Sequence, residues 1–382
     1  MGYGGQVTER WSAMKNALVM YAASETDANL FYATKFLVGD PIAYAQVGRR
    51  KMIVLNDLEI GRGRDQAEVD EVLSLSEITR RVGKRCTMAH VIERVLRDHG
   101  CSSCTVPANF PLELADQLRK RRIRVEAKPH PFFPERLLKT PEEIRAIEAA
   151  QRATEEAVEG AIGLLRRSKI RGHKVYHDGD VVTSELLKRV INVKLMERNC
   201  VAKNTIVAPG DQGCDPHNRG TGPIRPDQTL ILDVFPRSGD SHYFADMTRT
   251  VVKGTPSPAV RRLYDAVHEA QEVGILGVRH GVNGKDVHEE VKKVFTRLGY
   301  KTEPRGGKMV GFFHGTGHGV GLDIHEAPSI STRDSTLETN AVVTVEPGLY
   351  YFGTGGVRLE DMVLVTKTGC RNLTKFPKEL VV

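Results

Sequence analysis

A chain of 382 residues can hold two domains and a sizeable core in the larger one. Hydrophobic residues at 40% and charged residues at 27% are the balance of an ordinary globular protein, and no apolar run approaches the ~20 residues of a membrane helix. The net charge of +7 is spread along the chain instead of forming a stripe, which argues against nucleic-acid binding.

The chain starts Met1-Gly2-Tyr3-Gly4-Gly5-Gln6 and soon meets Glu9 and Arg10. That is not a signal-peptide pattern, and Gln6 stands where myristoylation wants Ser or Thr, so a cytoplasmic protein is expected. Residues 17–21 and 51–55 are short apolar strand candidates, with Leu30, Phe31 and Phe36 between them near a turn at Gly39-Asp40-Pro41. Residues 88–99 place Val91, Ile92, Val95 and Leu96 at helical spacing, and Gly100 is a stop. The run Arg119-Lys120-Arg121-Arg122 suits the C-terminal end of a second helix, and residues 122–127 read as a strand. This is the pattern of a small α/β domain over residues 1–133. Cys101 and Cys104 make a lone CxxC with no second ligand pair at matching spacing, which reads as coincidence.

Three prolines within residues 128–134 predict a stiff, extended connector. A helix start follows: Thr140 as N-cap, Pro141 at the first helical position and Glu143 completing a capping box. From 134 to 382 one layout occurs twice. Helical stretches at 141–167 and 180–198 precede a strand-rich region at 204–253. Helical stretches at 257–278 and 285–298 precede another at 308–382. A helix pair followed by a sheet, repeated, predicts a pseudo-twofold α+β domain. Residues 169–180, with His173 and His177, read as an added solvated loop.

Five potential metal ligands lie in strand-like settings of this second domain. Asp233 interrupts the apolar run Leu230-Ile231-Leu232-Asp233-Val234. A carboxylate buried there costs several kcal/mol unless something holds it. Asp246 follows after a hairpin, within Phe244-Ala245-Asp246-Met247-Thr248. A glycine-rich stretch then carries His314, His318 and His325. Glu346 ends the run Val342-Val343-Thr344-Val345, and Glu360 follows Arg358 at a spacing that puts both on one strand face. Four carboxylates and one imidazole suit two hard or borderline divalent ions, with their charges nearly balanced.

The segments LDVFPRSGDSHYFADMTRT, HGTGHGVGLDIHEAP, VEPGLYY and GGVRLED resemble those of the pita-bread metallopeptidases, the superfamily of methionine aminopeptidase, aminopeptidase P, prolidase and creatinase. The resemblance is strong over residues 140–382 and weaker over residues 21–54, which are similar to the creatinase/prolidase N-terminal domain. It implies an α+β pita-bread catalytic domain (134–382) behind a smaller α/β creatinase-like domain (1–133). It implies metal ligation by Asp233, Asp246, His318, Glu346 and Glu360. His318 is preferred to His314 because the family's ligand stands seven residues before the motif's last histidine, here His325. Catalytic roles fall to Glu346, His325 and His217, and substrate-pocket roles to His314, Tyr350 and Arg358.

The activity implied is hydrolysis of Xaa-Pro bonds, as an Xaa-Pro aminopeptidase or dipeptidase. The attacking group would be a hydroxide bridging two divalent ions, manganese first, with cobalt, zinc or iron as alternatives. Proline-containing peptides are the expected partners, in a homodimer without membrane or nucleic acid. One departure from the family concerns the first aspartate, which is usually followed by Asp-x-Gly spacing and a shorter hairpin. Here the triplet is Asp233-Val234-Phe235, and Phe235 is expected to narrow the pocket. The competing expectations are a metal-free peptide-binding relative, a creatinase-like amidinohydrolase and a methionine aminopeptidase. The first two are disfavoured by the complete ligand set, the last by the N-terminal domain.

Overall fold

The computed structural model describes residues 15–382, and the contacts divide the chain into two compact units that meet between Pro134 and Glu135. The reading of Met1–Arg10 lies outside the described residues.

The first unit is built on a six-stranded mixed sheet. Its order is Glu71–Ser74, Arg50–Leu55, Ile42–Val47, Lys15–Ala22, Cys101–Pro107, Arg124–Lys128. The central strands read as continuous apolar runs because both sheet faces are buried. Ala17, Val19, Ala43, Ala45, Met52 and Val54 pack on one face with helices Met88–Asp98 and Leu112–Lys120. Met20, Tyr44, Ile53 and Leu55 point the other way, into a cluster with Leu30 and Phe36. Leu30 belongs to a short helix, Ala28–Thr34, started by Asp27, whose side chain accepts from the Leu30 N–H. That helix was not read from the sequence. The proline-rich connector is also more than a spacer, because Phe132 and Phe133 are buried in this second cluster. Cys101 and Cys104 are buried neighbours on a strand, and burial pushes the Cys104 thiol up to about 12.

In the second unit, helix Pro141–Arg167 starts where the capping box places it. Thr140 Oγ1 accepts from Glu143 N at 3.3 Å, and a Glu143 carboxylate oxygen accepts from Thr140 N at 2.9 Å. It packs on helix Ser184–Glu197, and helix Pro258–Gly277 packs on Gly284–Arg297. The three later helices are capped by Thr183, Ser257 and Asn283. Each helix pair is followed by antiparallel strands. The first set is Ile206–Pro209, Thr229–Val234 and Met247–Val252. The second is a five-stranded sheet in the order Glu326–Ile330, Gly317–Gly319, Val342–Val345, Asp361–Val365, Cys370–Asn372, accompanied by the hairpin Gly348–Tyr351 with Gly355–Arg358. This is the repeated α+β layout that the sequence predicts.

The segment expected as a loop folds instead into a three-stranded sheet, Lys169–Arg171, Lys174–His177 and Asp180–Val181. The reason is local. Asp178 and Gly179 both take positive φ (49° and 92°), the requirement of a two-residue type I′ hairpin turn, and Val175 is buried. His173 is exposed and His177 partly so. Among the described residues, no helix is long and apolar enough to cross a membrane.

Candidate active site

The candidate ligands are brought together within strands and just beyond their ends. Thr229–Val234 pairs with Met247–Val252 so that Asp233 faces Thr248, and Asp246 stands one residue before its strand. Glu346 comes one residue after Val342–Val345, and Glu360 sits between Gly355–Arg358 and Asp361–Val365. Only Asp233 and His318 lie inside strands, which corrects the expectation of strand settings for all five. The close approach around His318 needs glycine: a Cβ at Gly317 would lie 1.9 Å from the Thr344 carbonyl oxygen.

All five line one cavity of about 620 Å³, with His217, His314, His325 and Arg358. Ligand atoms of Asp246, His318 and Glu360 lie within 4.8 Å of one another. His318 Nε2 is 3.7 Å from Asp246 Oδ2 and 3.5 Å from Glu346 Oε1. Thr248 Oγ1 donates to Glu360 Oε2 at 2.7 Å, and the Arg358 guanidinium holds Asp233 Oδ2 at 2.6 Å. The opposite oxygens, Asp233 Oδ1, Asp246 Oδ1 and Glu360 Oε1, are buried without a hydrogen-bond partner.

The electrostatics follow from this crowding. Burial, then Glu360, Asp233 and Glu346, push the Asp246 carboxyl well above its ordinary range. Burial, then Glu346 and Asp233, do the same to Glu360. Glu346 is pushed up to about 7 by burial and Asp233, against the pull of Arg358. Burial works against the Arg358 charge, yet Tyr350, Asp233 and Glu346 hold it on. Carboxylates repelling one another in a buried pocket, three of their oxygens unpartnered and an imidazole nitrogen beside two of the carboxyls, are a donor set that fits divalent cations.

The two candidate histidines differ in what their rings touch. His314 Nδ1 lies 2.7 Å from the Gly315 carbonyl, which can only accept, so Nδ1 carries the proton. Burial and Arg358 push His314 down to about 3, so the ring is neutral and Nε2 is an acceptor. Nε2 is taken by the Tyr350 hydroxyl at 2.8 Å, and that hydroxyl accepts from Arg358 Nη1 at 3.1 Å. Both His314 nitrogens are therefore engaged away from the carboxylates. His318 Nδ1 also donates to a carbonyl, that of Gly319 at 3.1 Å, which leaves Nε2 facing Asp246 and Glu346.

Tyr350 is fully buried and does not line the cavity, so it reaches a ligand only through His314 or Arg358. His217 and His325 are exposed at the cavity, and the His325 ring stands edge-on to His318 at 4.2 Å. Phe235 does line the cavity, as do Ile206, Phe313 and Ile324. The sequence reading missed Thr248 and Thr344, which hydrogen-bond Glu360 and Glu346. Alternation along Asp246-Met247-Thr248 was the available signal for Thr248.

Residues 145–367 match metallopeptidase family M24. The chain is 34% identical over 254 residues to an Xaa-Pro dipeptidase of Pyrococcus furiosus, a match spanning 64% of this chain and 65% of that protein. It is 30% identical over 292 residues to an Xaa-Pro dipeptidase of Pyrococcus horikoshii, spanning 74% of this chain and 76% of that one. The crystal structure of the prolidase from Pyrococcus horikoshii superposes with a TM-score of 0.79 at 24% identity, covering 96% of this chain and 95% of the other, and so has the same fold. With the family match extending over more than half its length, the chain belongs to metallopeptidase family M24.

Proposed function

We propose that this protein hydrolyses the peptide bond in front of a proline, using two divalent ions held by Asp233, Asp246, His318, Glu346 and Glu360. The observation that carries this reading is that all five residues line one cavity, with His318 Nε2 3.7 Å from Asp246 Oδ2 and 3.5 Å from Glu346 Oε1 and with three carboxylate oxygens of the set buried without a partner. Manganese suits the oxygen-rich set best, and cobalt, zinc or iron remain compatible with it. When bound, such ions supply an activated water and polarise the substrate carbonyl.

The chain's own residues do the rest. Arg358 orients Asp233 through a 2.6 Å contact to Oδ2 and leaves Oδ1 without a hydrogen-bond partner. Glu346, whose Oε1 lies 3.5 Å from His318 Nε2 at the cavity, is placed to take a proton at its Oε atoms from the attacking water and return it to the leaving nitrogen. His217 and His325 stand at the cavity where they can donate to the oxyanion and the peptide backbone. His314 lines the cavity with its nitrogens engaged, Phe313, Ile206 and Ile324 offer an apolar wall for a pyrrolidine ring, and Phe235 bounds the space for the residue before proline. The names of the dipeptidase relatives support proline as the residue after the cleaved bond. A cytoplasmic homodimer belongs to the same reading.

The test is a panel of Xaa-Pro dipeptides and Xaa-Pro-Yaa tripeptides, assayed after chelation and again with manganese, cobalt or zinc. Cleavage restored by metal is the expected result. Failure to cleave any proline peptide, or full activity after exhaustive chelation, refutes the proposal.

A further inference from the structure

We propose that Arg136 is a positioning residue that fixes the His325 loop at the cavity, an inference that rests on the peptidase reading for the role of His325. The loop of residues 320–325 joins strands Gly317–Gly319 and Glu326–Ile330, and His325 is its last residue. Arg136 Nη2 donates to Asp323 Oδ2 at 2.8 Å and to Glu326 Oε2 at 3.1 Å. One guanidinium thus grips the chain two residues before His325 and one residue after it. The other Glu326 oxygen, Oε1, is ion-paired to Lys139. The side chains of Arg136, Lys139 and Glu326 are 3%, 1% and 1% exposed, so this is a buried charge cluster.

Burying two cations and a carboxylate is a poor way to gain stability, because desolvation offsets the attraction. What the arrangement supplies is direction: each Glu326 oxygen has its own cation, and the paired carboxylate fixes where the strand begins. The loop backbone folds onto it closely enough that a Cβ at Gly321 would lie 2.4 Å from Glu326 Oε1. The Gly321 carbonyl also accepts from Phe244 N at 2.9 Å, two residues before Asp246. Releasing Arg136 frees the loop to swing, and the His325 ring, now edge-on to His318, moves relative to the carboxylates.

The side chain of Asp323 is 44% exposed, so Asp323→Ala removes one prong of the grip without opening a core cavity. Expected is a roughly tenfold fall in kcat, with KM and metal content unchanged, as a small misplacement of a catalytic group produces. Asp323→Glu should recover part of the loss. Arg136→Lys, which keeps the charge but not the planar guanidinium whose Nη2 reaches both carboxylates, should repeat the loss. The imidazole resonances of His325, assigned through His325→Gln, should shift in Asp323→Ala while those of His173, exposed on the small sheet of residues 169–181, stay in place. Wild-type kcat with unmoved His325 resonances overturns the proposal, and so does a kcat loss accompanied by loss of metal. If the wild-type protein cleaves no proline peptide, the functional reading fails, and the resonances alone then decide whether Arg136 positions His325.

Discussion

Metal binding to this protein should be strongly coupled to protons. Without metal, burial and the neighbouring carboxylates raise the carboxyls of Asp246 and Glu360 well above their ordinary range, and Glu346 is raised to about 7. A carboxyl raised in this way binds its proton more tightly in the folded than in the unfolded chain. Its contribution to stability is therefore present at low pH and is lost as pH rises from the ordinary carboxylate range through about 7. For Glu346, holding the proton up to about 7 instead of 4.5 corresponds to about 3 kcal/mol. A divalent ion must displace that proton. Through Glu346 alone, manganese affinity should then rise roughly tenfold between pH 6 and pH 8, and more if Asp246 and Glu360 also release protons. Calorimetric titration at pH 6 in two buffers of different ionisation enthalpy counts the protons released. Equal affinity at both pH values with no proton released at pH 6 would refute the reasoning, because it would mean the carboxylates are already ionised without metal.

Four substitutions probe the same architecture. His318→Ala should lose metal by elemental analysis, whereas His314→Ala should keep it and act on turnover, since its ring nitrogens are bound to Gly315 and Tyr350. The reverse pattern would exchange their roles. Lys139→Met leaves Glu326 with one of its two cations and should cost about 3 kcal/mol, as breaking a buried pair does, lowering Tm by roughly 10 °C; an unchanged Tm by scanning calorimetry counts against it. Phe235→Gly should widen the cavity and raise kcat/KM for a bulky residue before proline roughly tenfold relative to a small one. No change in that ratio means Phe235 does not face the substrate.

Much of the catalytic unit was legible because its signals are local. Thr140, Pro141 and Glu143 specify a helix start through bonds among themselves, so the helix begins where the sequence says. The four carboxylate candidates stood out because a carboxylate in or beside an apolar strand needs a reason to be there, His318 was added by resemblance, and the structure does bring all five to one cavity. Other features escaped although their signals were also local. The Asp178-Gly179 hairpin was passed over because its strands are only a few residues long.

By itself, then, the sequence determined the repeated helix-pair and sheet order, the helix caps and the set of residues able to hold metal, all of which depend on spacing along the chain. Spacing to His325 favoured His318 over His314 by resemblance only; the tertiary structure supplies the physical difference, because the two share a glycine-rich motif and differ in what lies across from them. Tertiary structure alone decided that Phe132 and Phe133 are core and not spacer. It also decided that Arg136 and Lys139 meet Glu326 across about half the chain length. A buried cation and its carboxylate need only converge in space, and no pattern in the intervening residues records that they will.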